Sequence, residues 1–208
     1  MSRLEMIEHV ETPRKVVAIT FDDGPNPVYT LKVLDIFEKI AGKVTFFMIG
    51  RHMEEHPEIV EAVKLQGHEI GNHTYSHARL TSLDEDDCLQ EMERTDAMIA
   101  AMTGRKAVIF RPPYLDYNET VISMCHHFGY KMIGALNTDA LDWEQPGVDY
   151  IVQKTRNHIK NGSILLFHDG FGDRSQTIQA VKILVSELRL QGYEFVTISE
   201  LLQLQTMD

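Results

Sequence analysis

Val16-Val17-Ala18-Ile19-Thr20-Phe21-Asp22-Asp23-Gly24-Pro25 is the stretch on which the reading of this chain turns. The apolar run Val16–Phe21 reads as a buried strand, and Gly24-Pro25 stops it in a turn. Between them stand two adjacent carboxylates. Charges beside an apolar core must be paired or bound to a metal, so such a pair points to a site. Side chains alternate faces along a strand, but a strand end entering a Gly-Pro turn escapes that rule. Asp22 and Asp23 can therefore face one cleft in different roles. On these residues alone, a solvated turn rich in Asp and Gly fits equally well.

Outward from this strand, strand-like and helix-like segments alternate along the chain. Strands are expected at Val44–Ile49, His68–Asn72, Ala107–Phe110, Lys131–Leu136, Ser163–Phe167 and Tyr193–Ile198, which with the first makes about seven. Helical periodicity falls near Tyr29–Ile40, Pro57–Leu65, Asn118–His127, Asp149–Ile159 and Ser175–Leu190. A further helix is expected to start at Ser82, with Glu85 completing a capping box, and to end at Gly104. This alternation implies an α/β fold with a parallel sheet, either open and doubly wound or closed as a barrel. The 208 residues are at the low end for an eight-unit barrel. No repeat, low-complexity tract or linker breaks the chain, so one domain over residues 1–208 is expected.

The formal net charge of -11 argues against nucleic acid or an anionic membrane surface as the main partner. No apolar run approaches the ~20 residues of a membrane span, and the first residues lack the apolar stretch of a signal peptide. The chain as written reads as cytoplasmic, or as secreted if a leader has been removed. Cys88 and Cys125 lie far apart and read as two buried free thiols.

In either architecture, ligands gather at the C-terminal ends of the strands. The chemistry-capable residues cluster there. His73 and His77 flank a short polar segment after the third strand. With one carboxylate of the Asp22-Asp23 pair they make a two-His, one-carboxylate set suited to catalytic Zn²⁺, Fe²⁺ or Co²⁺; alone they read as incidental loop histidines. Arg111, at the fourth strand end, can hold a carboxylate in a bidentate pair. Pro112-Pro113 stiffens the backbone that presents the Tyr114 N–H. Asp139-Ala140-Leu141-Asp142-Trp143 follows the fifth strand and contains the only Trp. His168, at the sixth strand end beside Asp169, is a candidate general acid. His9, His52, His56, His68, His126, His127 and His158 read as surface or structural.

Taken in order, these segments resemble the polysaccharide deacetylase family, the carbohydrate esterases with a NodB-type homology domain. The family pattern TFDDGP, HTxxH, RPPY, DxxDW and LxHD stands here as Thr20–Pro25, His73–His77, Arg111–Tyr114, Asp139–Trp143 and Leu166–Asp169. The resemblance extends over about residues 16–201. It implies a distorted (β/α)7 barrel and a divalent metal, usually zinc, with Co²⁺, Ni²⁺, Mn²⁺ or Fe²⁺ as alternatives. By analogy Asp23, His73 and His77 bind the metal and Asp22 is the base. Arg111 orients Asp22, the Tyr114 N–H helps form the oxyanion hole, and His168 is an acid tuned by Asp142. Trp143, Leu166 and Pro112 line the substrate pocket. One departure is Leu115, where the family usually has Gly.

The resemblance implies hydrolysis of N-acetyl groups from N-acetylglucosamine in chitooligosaccharide or peptidoglycan. Acetyl-xylan esters and cyclic amides are alternative substrates on such a scaffold. A carbohydrate-binding module without turnover is a third reading, disfavoured by the intact Asp22, Asp23 and His168. Oligomeric state is left open.

Overall fold

The computed structural model describes residues 6–205; the ends of the expected 1–208 domain lie outside the described residues. Seven strands form one parallel sheet: β1 (Val16–Asp22), β2 (Thr45–Met48), β3 (Glu69–Asn72), β4 (Ile109–Phe110), β5 (Lys131–Met132), β6 (Ser163–His168) and β7 (Glu194–Phe195). The order is β5-β4-β3-β2-β1-β6, and β7 adds a short pairing to β1. Around it lie α1 (Tyr29–Glu38), α2 (Gly50–Glu55), α3 (Pro57–Leu65), α4 (Glu85–Thr103), α5 (Glu119–Phe128), α6 (Val148–Arg156), α7 (Ser175–Leu190) and α8 (Ile198–Leu202). No described helix is long and apolar enough to cross a membrane.

The curl of the sheet sorts side chains by parity. Val17, Ile19, Phe21, Phe46, Phe110, Leu165 and Phe167 join the helices in the larger apolar cluster. Their neighbours Val16, Ala18, Phe47, Ile109, Ile164 and Leu166 fill the barrel interior. Every residue of β1 is buried, as a strand covered on both faces requires. The inward row of β1 continues through Thr20 to Asp22, that of β4 leads to Arg111, and that of β6 to His168. The interior thus turns from apolar to polar at the C-terminal end of the strands. Register places Asp22 opposite His168.

Residues 7–10 close the barrel. The Ile7 N–H donates to Met132 O (2.9 Å) and Gly134 N–H to Ile7 O (2.8 Å). On the other side, Val10 N–H reaches Gly162 O (3.0 Å) and Ile164 N–H reaches Glu8 O (3.3 Å). This segment lies outside the 16–201 core expected from sequence, yet it fills the gap between β5 and β6. Strand β5 ends at Met132, short of the expected Leu136, and beyond it the chain pairs with this segment through a single bridge, Ile133 to Ile7.

Three local expectations are corrected. The N-cap of α4 is Asp84, whose carboxylate accepts from Asp87 N–H at 2.9 Å; Ser82 instead ends a short 3-10 turn, which carries it away from the helix axis. A capping box does occur at Thr197 and Glu200, opening α8 inside the segment expected to be strand through Ile198. The β-branched run Val196-Thr197-Ile198 masks it. Helix α2 was not anticipated, being only six residues long. The cysteines are buried and unpaired, as expected, and Gly104 ends α4 in the left-handed region at φ 77°.

Candidate active site and metal centre

Arg111 organises the floor of the site. Its side chain is fully buried, and its guanidinium lies over the Phe47 ring, 4.2 Å from the centroid. Nε donates to Ile133 O (3.1 Å), Nη2 to Gly134 O (2.8 Å), and Nη1 to both Thr20 Oγ1 and Asp22 Oδ1 (2.7 Å each). The bidentate clamp expected from sequence is replaced by a single contact to Asp22, because carbonyls after β5 take the other donors. Asp22 Oδ2 stays off the guanidinium and lies 3.7 Å from His73 Nε2.

Asp23 leaves the strand at φ 74°, which turns its carboxylate away from the Arg111 contact and toward the histidines. Its carbonyl accepts from His52 Nδ1 at 2.8 Å, and Gly170 sits so close that a Cβ there would meet Asp23 O at 2.0 Å. The Asp23 Oδ1 atom is buried without a hydrogen-bond partner, 3.5 Å from His73 Nε2 and 3.2 Å from His77 Nε2. His73 Nδ1 donates to Arg111 O at 2.6 Å, which leaves Nε2 as the free ring nitrogen. One ligand atom from each of Asp23, His73 and His77 lies within 4.8 Å of the others.

The protonation states agree with this donor set. Burial raises the Asp23 pKa, but the nearby His73, His168 and His77 outweigh it and hold the carboxyl well below the usual range. Burial, then the His73 charge, pushes His77 down to about 4. A carboxylate oxygen buried without a partner, faced by two imidazole nitrogens, fits a divalent cation.

His168 Nδ1 donates to Asp142 Oδ1 at 2.8 Å, and the His168 N–H and Thr177 Oγ1 hold Asp142 Oδ2 at 2.9 and 3.0 Å. Burial disfavours the charged ring, yet the charge and hydrogen bond of Asp142 raise its pKa to about 9. Asp169 is buried against Gly24 and accepts from Thr30; burial and the nearby Asp23 and Asp22 lift it to about 7.

Asp22, Asp23, His73, His77 and His168 open into one cleft of about 690 Å³, walled by Tyr114, Leu115, Trp143, Leu166, Phe171 and Arg174. Trp143 is 39% exposed with its ring 5.4 Å from His168. Tyr114 stands at the rim, 4.8 Å from the His77 ring. Pro112, expected to touch substrate, is buried and does not line the cleft. Asp139 is exposed and pairs with Lys154 and His158, away from the site. Leu115 takes φ 54° next to Tyr114 at 61°, which explains why glycine is usual there. Its side chain packs on the interior cluster that contains Leu166.

Sequence reasoning missed His52, Phe171 and Arg174, which lie outside the quoted motifs. Phe171 stacks edge-on against His52 at 4.9 Å, and Arg174 ties Gly170 O (2.7 Å) to Trp143 O (3.2 Å).

The polysaccharide deacetylase family model matches residues 9–133. The chain belongs to the polysaccharide deacetylase family. That match contains Asp22, Asp23, His73, His77 and Arg111, while His168 and Asp142 enter through the geometry. A peptidoglycan-N-acetylglucosamine deacetylase of Bacillus cereus is 40% identical to this polysaccharide deacetylase over 195 residues, 93% of this chain and 91% of that protein. A chitooligosaccharide deacetylase of Rhizobium leguminosarum bv. trifolii is 32% identical, over 85% of this chain and 87% of that one. The solved structure of a CE4 family pseudoenzyme from Bacillus anthracis superposes with a TM-score of 0.88 at 28% identity, covering 99% of this chain and 72% of that one. A mutant of it with restored enzymatic activity superposes with the same TM-score. A shared fold therefore does not by itself decide turnover.

Proposed function

We propose that this polysaccharide deacetylase, acting as one catalytic unit, removes N-acetyl groups from N-acetylglucosamine residues of a glycan, with peptidoglycan and chitooligosaccharide as the substrate class. The observation that carries the reading is the meeting, in one cleft, of the Asp23–His73–His77 set, the Arg111-held Asp22 and the Asp142-held His168. Asp23, His73 and His77 would hold a divalent cation, zinc first, which would supply polarisation of the acyl oxygen and a more acidic water.

Asp22 Oδ2, free of Arg111, takes the proton of the attacking water. The Tyr114 N–H donates to the oxygen on which negative charge develops, a contact typically worth ~3–4 kcal/mol. His168, charged at neutral pH, gives its proton to the amine nitrogen so that the C–N bond breaks in the forward direction. Trp143 and Leu166 enclose the acetyl methyl. Such a well-held acid suits an amide, whose leaving group needs a proton, better than an ester.

The test is acetate release from peptidoglycan, chitooligosaccharide and acetyl-xylan, and ring opening of a cyclic imide, with and without chelator. Release from the first two, lost with chelator and restored by zinc, is expected. Acetate from none of them with metal present would overturn the reading.

A further inference from the structure

We propose that Glu91 is a positioning residue for the metal centre, acting through the turn that joins His73 to His77. The inference rests on the reading of those two histidines as metal ligands. Glu91 projects from α4 and touches neither of them. Its Oε2 accepts from the main-chain N–H of Tyr75 (3.0 Å) and of Ser76 (2.8 Å), and its Oε1 accepts from Ser76 Oγ (2.8 Å). One carboxylate thus gathers two consecutive amides and a hydroxyl of the three-residue connection, through charge-assisted bonds.

The opposite edge of the turn is held by α2. Gly50 N–H donates to Thr74 O and Arg51 N–H to Tyr75 O, each at 2.9 Å. Amides on one side and carbonyls on the other leave the turn no rotational freedom. It needs that restraint, because Thr74 and His77 both stand in the left-handed region, at φ 66° and 64°. His77 N–H donates to Thr74 Oγ1 at 3.1 Å, so a rotation of the turn moves the His77 imidazole. His73 has a separate anchor at Arg111 O. Glu91 therefore sets the aim of His77 relative to His73, and with it the bite of the donor set.

Partners bonded directly to metal ligands typically change metal affinity by about 10–100-fold when lost, and Glu91 acts one step further out, through the turn. The test compares wild type, Glu91→Gln and Glu91→Ala by Zn²⁺ titration against a chromophoric chelator, by the visible absorption of the Co²⁺ form, and by urea unfolding of the metal-free proteins. The expected result is an affinity loss of about 10-fold, the lower end of that range, for Glu91→Ala, a smaller loss for Glu91→Gln, and altered Co²⁺ bands in both. A purely structural role would lower the urea midpoint and leave the affinity and the Co²⁺ spectrum of the wild type; that outcome overturns the inference. If Glu91→Ala does not fold, the isosteric Gln variant carries the comparison. Failure of the wild type itself to bind Zn²⁺ would remove the metal-centre reading and this inference together, whereas tight binding by all three proteins removes the inference alone.

Discussion

His73 donates its Nδ1–H to the carbonyl of Arg111 at 2.6 Å, while the guanidinium of the same arginine holds Asp22 at 2.7 Å. One residue therefore orients both a candidate metal ligand and the candidate base. The two aspartates of the first strand end are separated by this arrangement. Asp22 is tied to Arg111, and Asp23 keeps an unpartnered oxygen facing His73 and His77.

Separate duties predict separable variants. Asp22→Asn should keep metal and lose turnover by at least the 10²–10⁴-fold typical of general base removal. His73→Ala should lose both. Metal content by elemental analysis and acetate release on the same samples check this; near-full activity in Asp22→Asn would show that the base lies elsewhere.

A pH profile tests the His168–Asp142 pair. His168 titrates at about 9, so activity that needs its proton should hold below that pH and fall as pH rises through it. The same shift makes the pair stabilising: the contribution is full below the unfolded histidine value of about 6.5 and is lost as pH rises through about 9. In Asp142→Asn the burial penalty loses its largest opponent, leaving only the smaller pull of Asp23 and Asp22, and the alkaline limb should move to lower pH. A limb that stays in place would separate it from His168.

Arg111 is predicted to matter for stability as well as rate. Arg111→Ala leaves Asp22 as an unpaired buried charge, which typically costs about 3–5 kcal/mol, and it also orphans two carbonyls after β5. Urea unfolding of the metal-free protein measures the loss. A change under about 1 kcal/mol would mean that water replaces the guanidinium without penalty.

Leu115→Gly trades two terms of similar size. A left-handed leucine costs about 1–2 kcal/mol, and its contact with the interior cluster returns a comparable amount, so stability should change by no more than about 1 kcal/mol. The cleft wall beside Leu166 is removed, so N-propionyl substrates should gain on N-acetyl ones by about tenfold in kcat/KM. An unchanged ratio would mean that the leucine does not bound the acyl group.

The strand ends were legible because parallel β/α architecture makes them the only place where a polar cluster can face an interior, and the TFDDGP and HTxxH segments mark two of them. Helices with long periodic faces, such as α7, were equally plain. What escaped sequence reasoning acts through long-range or main-chain contacts. His52 looks like one more surface histidine until its ring is seen against the Asp23 carbonyl. Spacing alone does not separate Asp142, which carries the His168 contact, from Asp139, which pairs with Lys154 and His158; only the family resemblance pointed to Asp142. Residues 7–10 have the composition of a leading tail, and their role as a barrel stave exists only once β5 and β6 are in place.

That last feature has a kinetic side. Residues 7–10 precede all of their hydrogen-bonding partners in synthesis, because Met132, Gly134, Gly162 and Ile164 come far later in the chain. Closing so large a loop carries an entropic penalty that is repaid only when both edges stand ready. During synthesis this segment must wait, solvated, until the strands it bridges have emerged. Until then the sheet keeps two open edges, the state most exposed to mispairing with another chain.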